Sequence, residues 1–333
     1  MKNIALWSIA KSKRNTAIKI LGCVIVVSGL NYFVYNTINY DLHATEYSNH
    51  DYYQKALIEG NEEEEISFEY RIDYPEYLAN YSLFKNMPSV KYYNSLQNPG
   101  SSRFAEAVGI GEDLQDTILL SPEEGNEYTD ALLSVKYYYD YDGKASVPQG
   151  FVYKQTENEV NIYENTNYIP MGFVFEDYCL ENQLEELLPE EKAKVMLNAL
   201  VIRDEDENIV SKLLEKETDL ENVGDLETAV SERKETVCSY FKGTSSGFNA
   251  EITLEKENIV FFSVPCDDGW EITVNGEPAE IVEVNYGLLG VLCDEGNNII
   301  TADYHTQGVE YGIICTAICL IAWGIMEIFL KRR

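Results

Sequence analysis

The sequence predicts an α+β protein anchored in a membrane, and three observations carry that expectation. Two long apolar runs, 20–40 and 311–330, stand near opposite ends of the chain. Residues 39–308 hold 55 of the 57 acidic residues against 17 of the 25 basic ones, a formal charge of −38. From Ala250 onward, short apolar stretches alternate with turn signals as antiparallel strands do.

The first run is 21 residues without a charge, and the second is broken only by Glu327. Each approaches the roughly 20 residues that a helix needs to cross about 30 Å of hydrocarbon. Lys11, Lys13, Arg14 and Lys19 precede the first run, and Lys331, Arg332 and Arg333 follow the second. The positive-inside rule then leaves both termini in the cytoplasm of a cell-membrane protein, with 41–308 extracellular. The expected order is a basic segment 1–19, a transmembrane helix 20–40, an external α/β or β-rich region 41–249, a β-sandwich 250–307, a transmembrane helix 308–330 and a tail 331–333. Lys19 and Glu327 sit at the cytoplasmic ends of their helices, where side chains snorkel to water. A leader cleaved near Ser28-Gly29 is the alternative, but Tyr32, Phe33 and Val34 continue the run and suit a retained anchor.

Charge excludes one class of partner outright. A nucleic-acid binder needs a basic face to displace phosphate counterions, and residues 39–308 offer a strongly acidic one. A polyphosphate needs an intervening cation or a locally neutral groove, so neutral or lipid-linked sugars are the easier ligands. Outside the apolar runs lie Cys179, Cys238, Cys266 and Cys293. An external location permits disulfides, with Cys266–Cys293 the favoured pair, while free buried thiols remain the other reading.

In the first external region, 67–72 and 160–163 read as strands, and 131–139 begins as helix and finishes as strand. Leu184, Leu187, Leu188, Val195, Met196 and Ala199 stand at helical spacing around Pro189, a natural first helical residue. A further polar helix is expected over 210–220. Six strands follow, at 251–254, 259–264, 270–274, 279–284, 288–292 and 299–304. Asn275-Gly276 between two of them signals a type I′ hairpin.

Within this last segment, Val260-Phe261-Phe262-Ser263-Val264-Pro265, Asp268-Gly269-Trp270, Val274-Asn275-Gly276, Asn285, Gly290-Val291, Gly296 and Tyr304 lead at once into the apolar run. Earlier come Arg71-Ile72-Asp73, Tyr92-Tyr93-Asn94-Ser95, Leu133 through Tyr138, Ile162 through Asn165, Pro170 through Phe173, and Asn198-Ala199-Leu200. In this order they resemble the C-terminal part of the bacterial YfhO family, from about Asn39 to the end of the chain. The resemblance implies multi-spanning membrane proteins similar to GT-C glycosyltransferases, which add sugars to envelope polymers such as lipoteichoic acid from a polyprenyl-phosphate sugar. Such enzymes place their catalytic acid in an early outer loop of a many-helix bundle. This chain has one apolar run before its external region, so no catalytic residue is carried over. The implied partners are membrane lipid, a multi-spanning GT-C-like protein, and an envelope glycan or polyprenyl-phosphate sugar.

Transfer of a sugar needs a carboxylate base, and Asp140-Tyr141-Asp142 and Asp204-Glu205-Asp206 have that composition. In so acidic a segment such triplets arise from composition alone, 62–65 reads as a solvated loop, and Asp267-Asp268 reads as a hairpin turn in preference to a chance calcium contact. His43, His50 and His305 form no ligand pair, so neither metal nor cofactor is expected. The weak glycan-binding candidates are Trp270, for which core or hairpin packing is the favoured reading, and the tyrosines Tyr92, Tyr93, Tyr137 and Tyr138, which strand packing explains equally well.

Overall fold

The computed structural model describes residues 69–74, 87–90, 98–110, 126–141, 143, 146–217 and 219–331. The expected first transmembrane helix, the 62–65 run, His43, His50, Asp142, Tyr92 and Tyr93 lie outside the described residues. The architecture is a mixed α+β fold, rich in sheet.

A four-stranded sheet runs in the order β1 (Arg71–Asp73), β2 (Val135–Asp140), β4 (Val160–Asn165), β3 (Phe151–Glu157), with β1 parallel to β2 and the rest antiparallel. The predicted change from helix to strand near 133 is present. Helix α2 (Glu127–Leu132) is capped by the Asn126 side chain, and Ser134, at φ 57°, turns the chain into β2. Helix α1 (Pro99–Val108) precedes these elements, with Asn98 accepting from the Gly100 and Ser101 amides.

The remaining strands form two sheets. A five-stranded sheet has the order β13 (Glu277–Pro278), β12 (Trp270–Val274), β16 (Gly296–Tyr304), β10 (Gly247–Leu254), β9 (Tyr240–Gly243). A seven-stranded sheet has the order β5 (Phe173–Val174), β11 (Asn258–Pro265), β15 (Leu288–Cys293), β14 (Ile281–Val284), β7 (Leu200–Ile202), β6 (Asp177–Leu180), β8 (Glu215–Lys216). The predicted strands 259–264, 279–284 and 288–292 thus join strands from before residue 250 in one sheet.

Burial explains the layering. On β10, Phe248, Ala250, Ile252 and Leu254 point inward between residues that do not, as one covered face requires. On β11 the run from Asn258 to Ser263 is buried throughout. Val260 and Phe262 pack against the five-stranded sheet, whereas Ile259 and Phe261 pack into the core under the helices. The seven-stranded sheet is therefore the middle layer. Its helical side carries α1, α3 (Pro189–Asn198) and α5 (Leu226–Glu235), with Pro189 opening α3 as expected. The Asn275-Gly276 hairpin has both residues at positive φ, 54° and 83°, which is type I′ geometry.

Two expectations are corrected. The stretch 210–220 is not a helix: α4 (Glu207–Val210) stops there, and Glu215–Lys216 forms β8 beside β6. The Glu215 amide donates to the Glu176 carbonyl and the Glu217 amide to that of Tyr178, so sheet pairing outweighs the weak helical preference of a short polar segment. Cys266 and Cys293 are free thiols. Cys293 pairs with Asn258 at one end of β11, and Cys266 bonds Gly287 beyond the other end. Seven residues at about 3.4 Å each separate these ends, far more than the roughly 4–7 Å between Cα atoms that a disulfide spans.

After β16, four residues lead to helix α6 (Val309–Lys331), 23 residues long, whose described large apolar side chains are exposed. Its side chains are described without a break only over 311–321. Among the described residues no helix is long and apolar enough to cross a membrane.

Candidate functional site

Strand β2 sorts the tyrosine run by alternation. Tyr138 points inward, has no exposed surface, and makes edge contacts with Phe151 and Tyr163 at 6.1 and 6.5 Å. It is a core residue and leaves the glycan candidates. Tyr137, on the other face, is half-buried and stands beside Glu164 of β4, which in turn pairs with Val152 of β3. These three residues form one cross-strand row on the outer face of the four-stranded sheet.

Around Tyr137 the chain gathers residues distant in sequence. The Tyr70 ring meets it edge-on at 5.3 Å, and Tyr70 meets Tyr168 at 6.5 Å. The Lys136 ammonium lies 4.9, 5.3 and 5.1 Å from the ring centres of Tyr70, Tyr137 and Tyr168. Such contacts are worth about 0.5–2 kcal/mol each, depending on desolvation, so the lysine fixes the three rings together. Lys154 donates to the Tyr137 hydroxyl at 2.8 Å, lies 4.6 Å from its ring centre, and pairs with Glu164 at 3.1 Å. Those two hydrogen bonds, to Tyr137 first and then Glu164, raise the Lys154 pKa. Burial, with the negative charge of Glu69 behind it, pushes the Tyr168 phenol above the usual tyrosine range, so it stays protonated and donates to the Glu69 carbonyl at 3.2 Å.

Next to this cluster opens a groove of about 510 Å³ lined by Val152, Glu164, Asn165, Thr166, Tyr168, Pro170 and Lys234. The strands contribute Val152, Glu164 and Asn165, the following loop Thr166, Tyr168 and Pro170, and the last turn of α5 Lys234. Asn165 is buried and holds the groove floor, its amide donating to the Val135 carbonyl and its oxygen accepting from the Asn167 amide. An aromatic and apolar wall with a carboxylate, a hydroxyl and an ammonium at its edges suits a small polar ligand with one apolar face.

The other sequence candidates have structural work. Trp270 is half-buried, donates its indole N–H to the Pro265 carbonyl at 2.9 Å, and packs against Phe248 and Tyr304. Asp267 accepts from the Gly269 amide at 2.8 Å, the Tyr304 hydroxyl at 3.2 Å and the Asn98 amide at 2.9 Å, which makes it a turn residue that also ties α1 to the sandwich. Asp140 accepts from the Gly143 amide, and Glu205 and Asp206 pair with Arg203. His305 is exposed, 3.7 Å from Glu271. Among the described residues no three His, Cys, Asp or Glu side chains are grouped to hold a metal ion.

Two arginines brace the body. Arg71 donates to the carbonyls of Leu133 and Ser263 at 2.7 and 2.6 Å and to the Ser263 hydroxyl at 2.7 Å, joining the four-stranded sheet to β11, and desolvation by burial lowers its pKa to about 10. Arg103 of α1 grips Glu181 through both carboxylate oxygens, at 2.8 and 2.9 Å, and also bonds Glu283 of β14. Tyr70, Tyr168, Lys136, Lys154, Glu164 and Lys234 escaped sequence reasoning. Nothing local announces a cluster assembled from segments up to 164 residues apart; only the cross-strand pairing of 137 with 164 could have found part of it.

Comparison with known proteins adds the lineage. The family model described as bacterial membrane protein YfhO matches residues 3–237 and 220–316. The chain is 23% identical over 113 residues to the uncharacterized protein YfhO of Bacillus subtilis (strain 168), a stretch covering 34% of this chain and 13% of that protein. The chain thus spans a small part of the length of the curated relative it matches. No solved structure matches. With the family model covering nearly the whole chain, the protein belongs to the bacterial membrane protein YfhO family.

Proposed function

We propose that this chain is the external portion, with flanking membrane helices, of a YfhO-like membrane protein that glycosylates a cell-envelope polymer of the lipoteichoic acid type. In this reading its body holds the acceptor glycan or lipid-linked sugar, and the transfer centre belongs to a GT-C-like helix bundle elsewhere. Family membership is the observation that carries the reading. Two further features support it. The apolar run 311–330 falls within the 23 residues of α6, which follow β16 after a link of four, so a membrane segment there would hold the body near the surface. The groove beside Tyr168 has a size and lining that would suit a sugar.

Deleting the gene and measuring sugar on the purified envelope polymer tests the proposal. Sugar content is expected to fall several-fold and to return when the intact chain is supplied, while the purified chain alone moves no sugar from a polyprenyl-phosphate donor. Unchanged sugar content would favour the second reading, a membrane-anchored glycan-binding or structural surface protein without a transferase partner. Transfer by the purified chain would place the catalytic centre inside it.

A further inference from the structure

Three tyrosines brought together by folding form a box around one ammonium. The Tyr70 ring stands at 90° to that of Tyr137 and at 88° to that of Tyr168, so the box has perpendicular walls. The Lys136 Nζ lies 4.9, 5.3 and 5.1 Å from the three ring centres. An ammonium within about 6 Å of several rings is the arrangement by which aromatic cages hold methylated and quaternary amines. Lys136 reaches this place through a β-bulge. Arg71 pairs with Val135 and Ile72 with Tyr137, which leaves Lys136 the extra residue of β2 and lets it meet Tyr137, although neighbours on a regular strand face opposite ways.

The walls are also held from outside. Lys154 donates to the Tyr137 hydroxyl at 2.8 Å, the Tyr168 hydroxyl donates to the Glu69 carbonyl at 3.2 Å, and Tyr70 meets both rings edge-on. The three tyrosines and Lys136 are half-buried, so the box is open to solvent, and the groove lined by Tyr168 adjoins it. The setting is anionic: residues 39–308 carry a formal charge of −38, and burial and then the charge of Glu69 raise the Tyr168 pKa, which puts that carboxylate within electrostatic reach of the wall. Of the other lysines, Lys154 is paired with Glu164 at 3.1 Å, and Lys234 lines the adjoining groove. We infer that the box of Tyr70, Tyr137 and Tyr168 is a binding site for an alkylammonium group, with Lys136 as its tethered resting occupant. A ligand enters by displacing the lysine, whose flexible stem swings to solvent. The tether gives that lysine an effective concentration of about millimolar or more, which a ligand must outcompete. An amine-bearing lipid headgroup and a soluble or polymer-borne amine share this chemistry, and the site does not depend on the glycosylation reading.

The test uses the full chain in phosphatidylglycerol nanodiscs, which carry no amine. Choline and its neutral isostere 3,3-dimethylbutan-1-ol are the probes, in calorimetric or ligand-detected magnetic-resonance titrations. Choline is expected to bind about tenfold more tightly than the alcohol, because only the cation is drawn to the rings. Lys136→Ala, which empties the box, should tighten choline by a further factor of about ten by removing the tethered competitor. On that background Tyr70→Leu should weaken choline about tenfold, whereas Tyr70→Phe, which keeps the ring, should stay within about twofold of the parent. The Phe variant separates a lost wall from a lost fold. Equal affinity for choline and the alcohol, no gain from Lys136→Ala, or equal binding by the Leu and Phe variants overturns the site. Phosphatidylethanolamine added to the disc distinguishes the sources: weakened choline binding identifies a lipid headgroup as the occupant, and unchanged binding a soluble or polymer-borne amine, and both results uphold the site.

Discussion

Gly100→Ala is expected to destabilise the body by about 3 kcal/mol or more, the upper end of the range for overpacking. A methyl group there would lie 2.3 Å from the Gly287 carbonyl oxygen, and one on Gly287 would lie 2.4 Å from the Gly100 Cα. Both obstacles are backbone, so no rotamer relieves them. Nor is the turn free to retreat. Asn285, Tyr286 and Gly287 stand at φ 46°, 59° and 120°, and Asn285 is pinned to Val201 by two hydrogen bonds of 2.7 and 2.8 Å. The Gly287 carbonyl meanwhile accepts from the Cys266 amide at 2.8 Å. Gly276→Ala provides the comparison. Gly276 has φ 83° but nothing within 4 Å of an added Cβ, so only the conformational cost of about 1 kcal/mol remains. At about 2–4 °C per kcal/mol for a body of this size, thermal melts followed by near-ultraviolet circular dichroism should separate the two variants clearly. Equal melting temperatures would mean that α1 does not seat on the β14–β15 turn in this way.

Phe261→Ala should cost about 3–5 kcal/mol, the usual range for emptying a fully buried aromatic site. Phe261 is 0% exposed in the middle layer, with Phe173 at 5.1 Å and Phe175 at 5.9 Å. Phe175 in turn lies 4.8 Å from the buried guanidinium of Arg233, whose Nη1 donates to the Asn198 carbonyl at the end of α3. The void would therefore open beside a charge that depends on close packing, and the neighbours cannot collapse into it cheaply. The same melt reads the effect, and a loss below 1 kcal/mol would show that β11 is not buried on both faces.

Much of the C-terminal half was legible because its signals are local. Alternation on β10 and an Asn-Gly pair at positive φ need only a few consecutive residues, and Pro189 marks a helix start by its missing N–H. The joining of β5, β6, β7 and β8 to β11 was not legible. These strands are two to four residues long, and β6 pairs in parallel with β7 and β8, a geometry that leaves no alternating pattern and no hairpin turn. The tyrosines show the same division. A run at 137–139 declares a strand, but which ring faces water follows from register, and register placed Tyr138 in the core and Tyr137 beside Lys154. Tyr70 and Tyr168, brought to 6.5 Å by folding, carry no mark in sequence that they meet.

The proposed function requires the acidic body to stand outside the cell, tethered by an apolar segment on each side. A cysteine placed at Gln155, on the exposed strand β3, and one at Lys13, in the basic segment, test it with a membrane-impermeant maleimide. The account predicts that Gln155→Cys is labelled in intact cells and Lys13→Cys only after lysis. Protection of the Gln155 site until the cells are opened would contradict it.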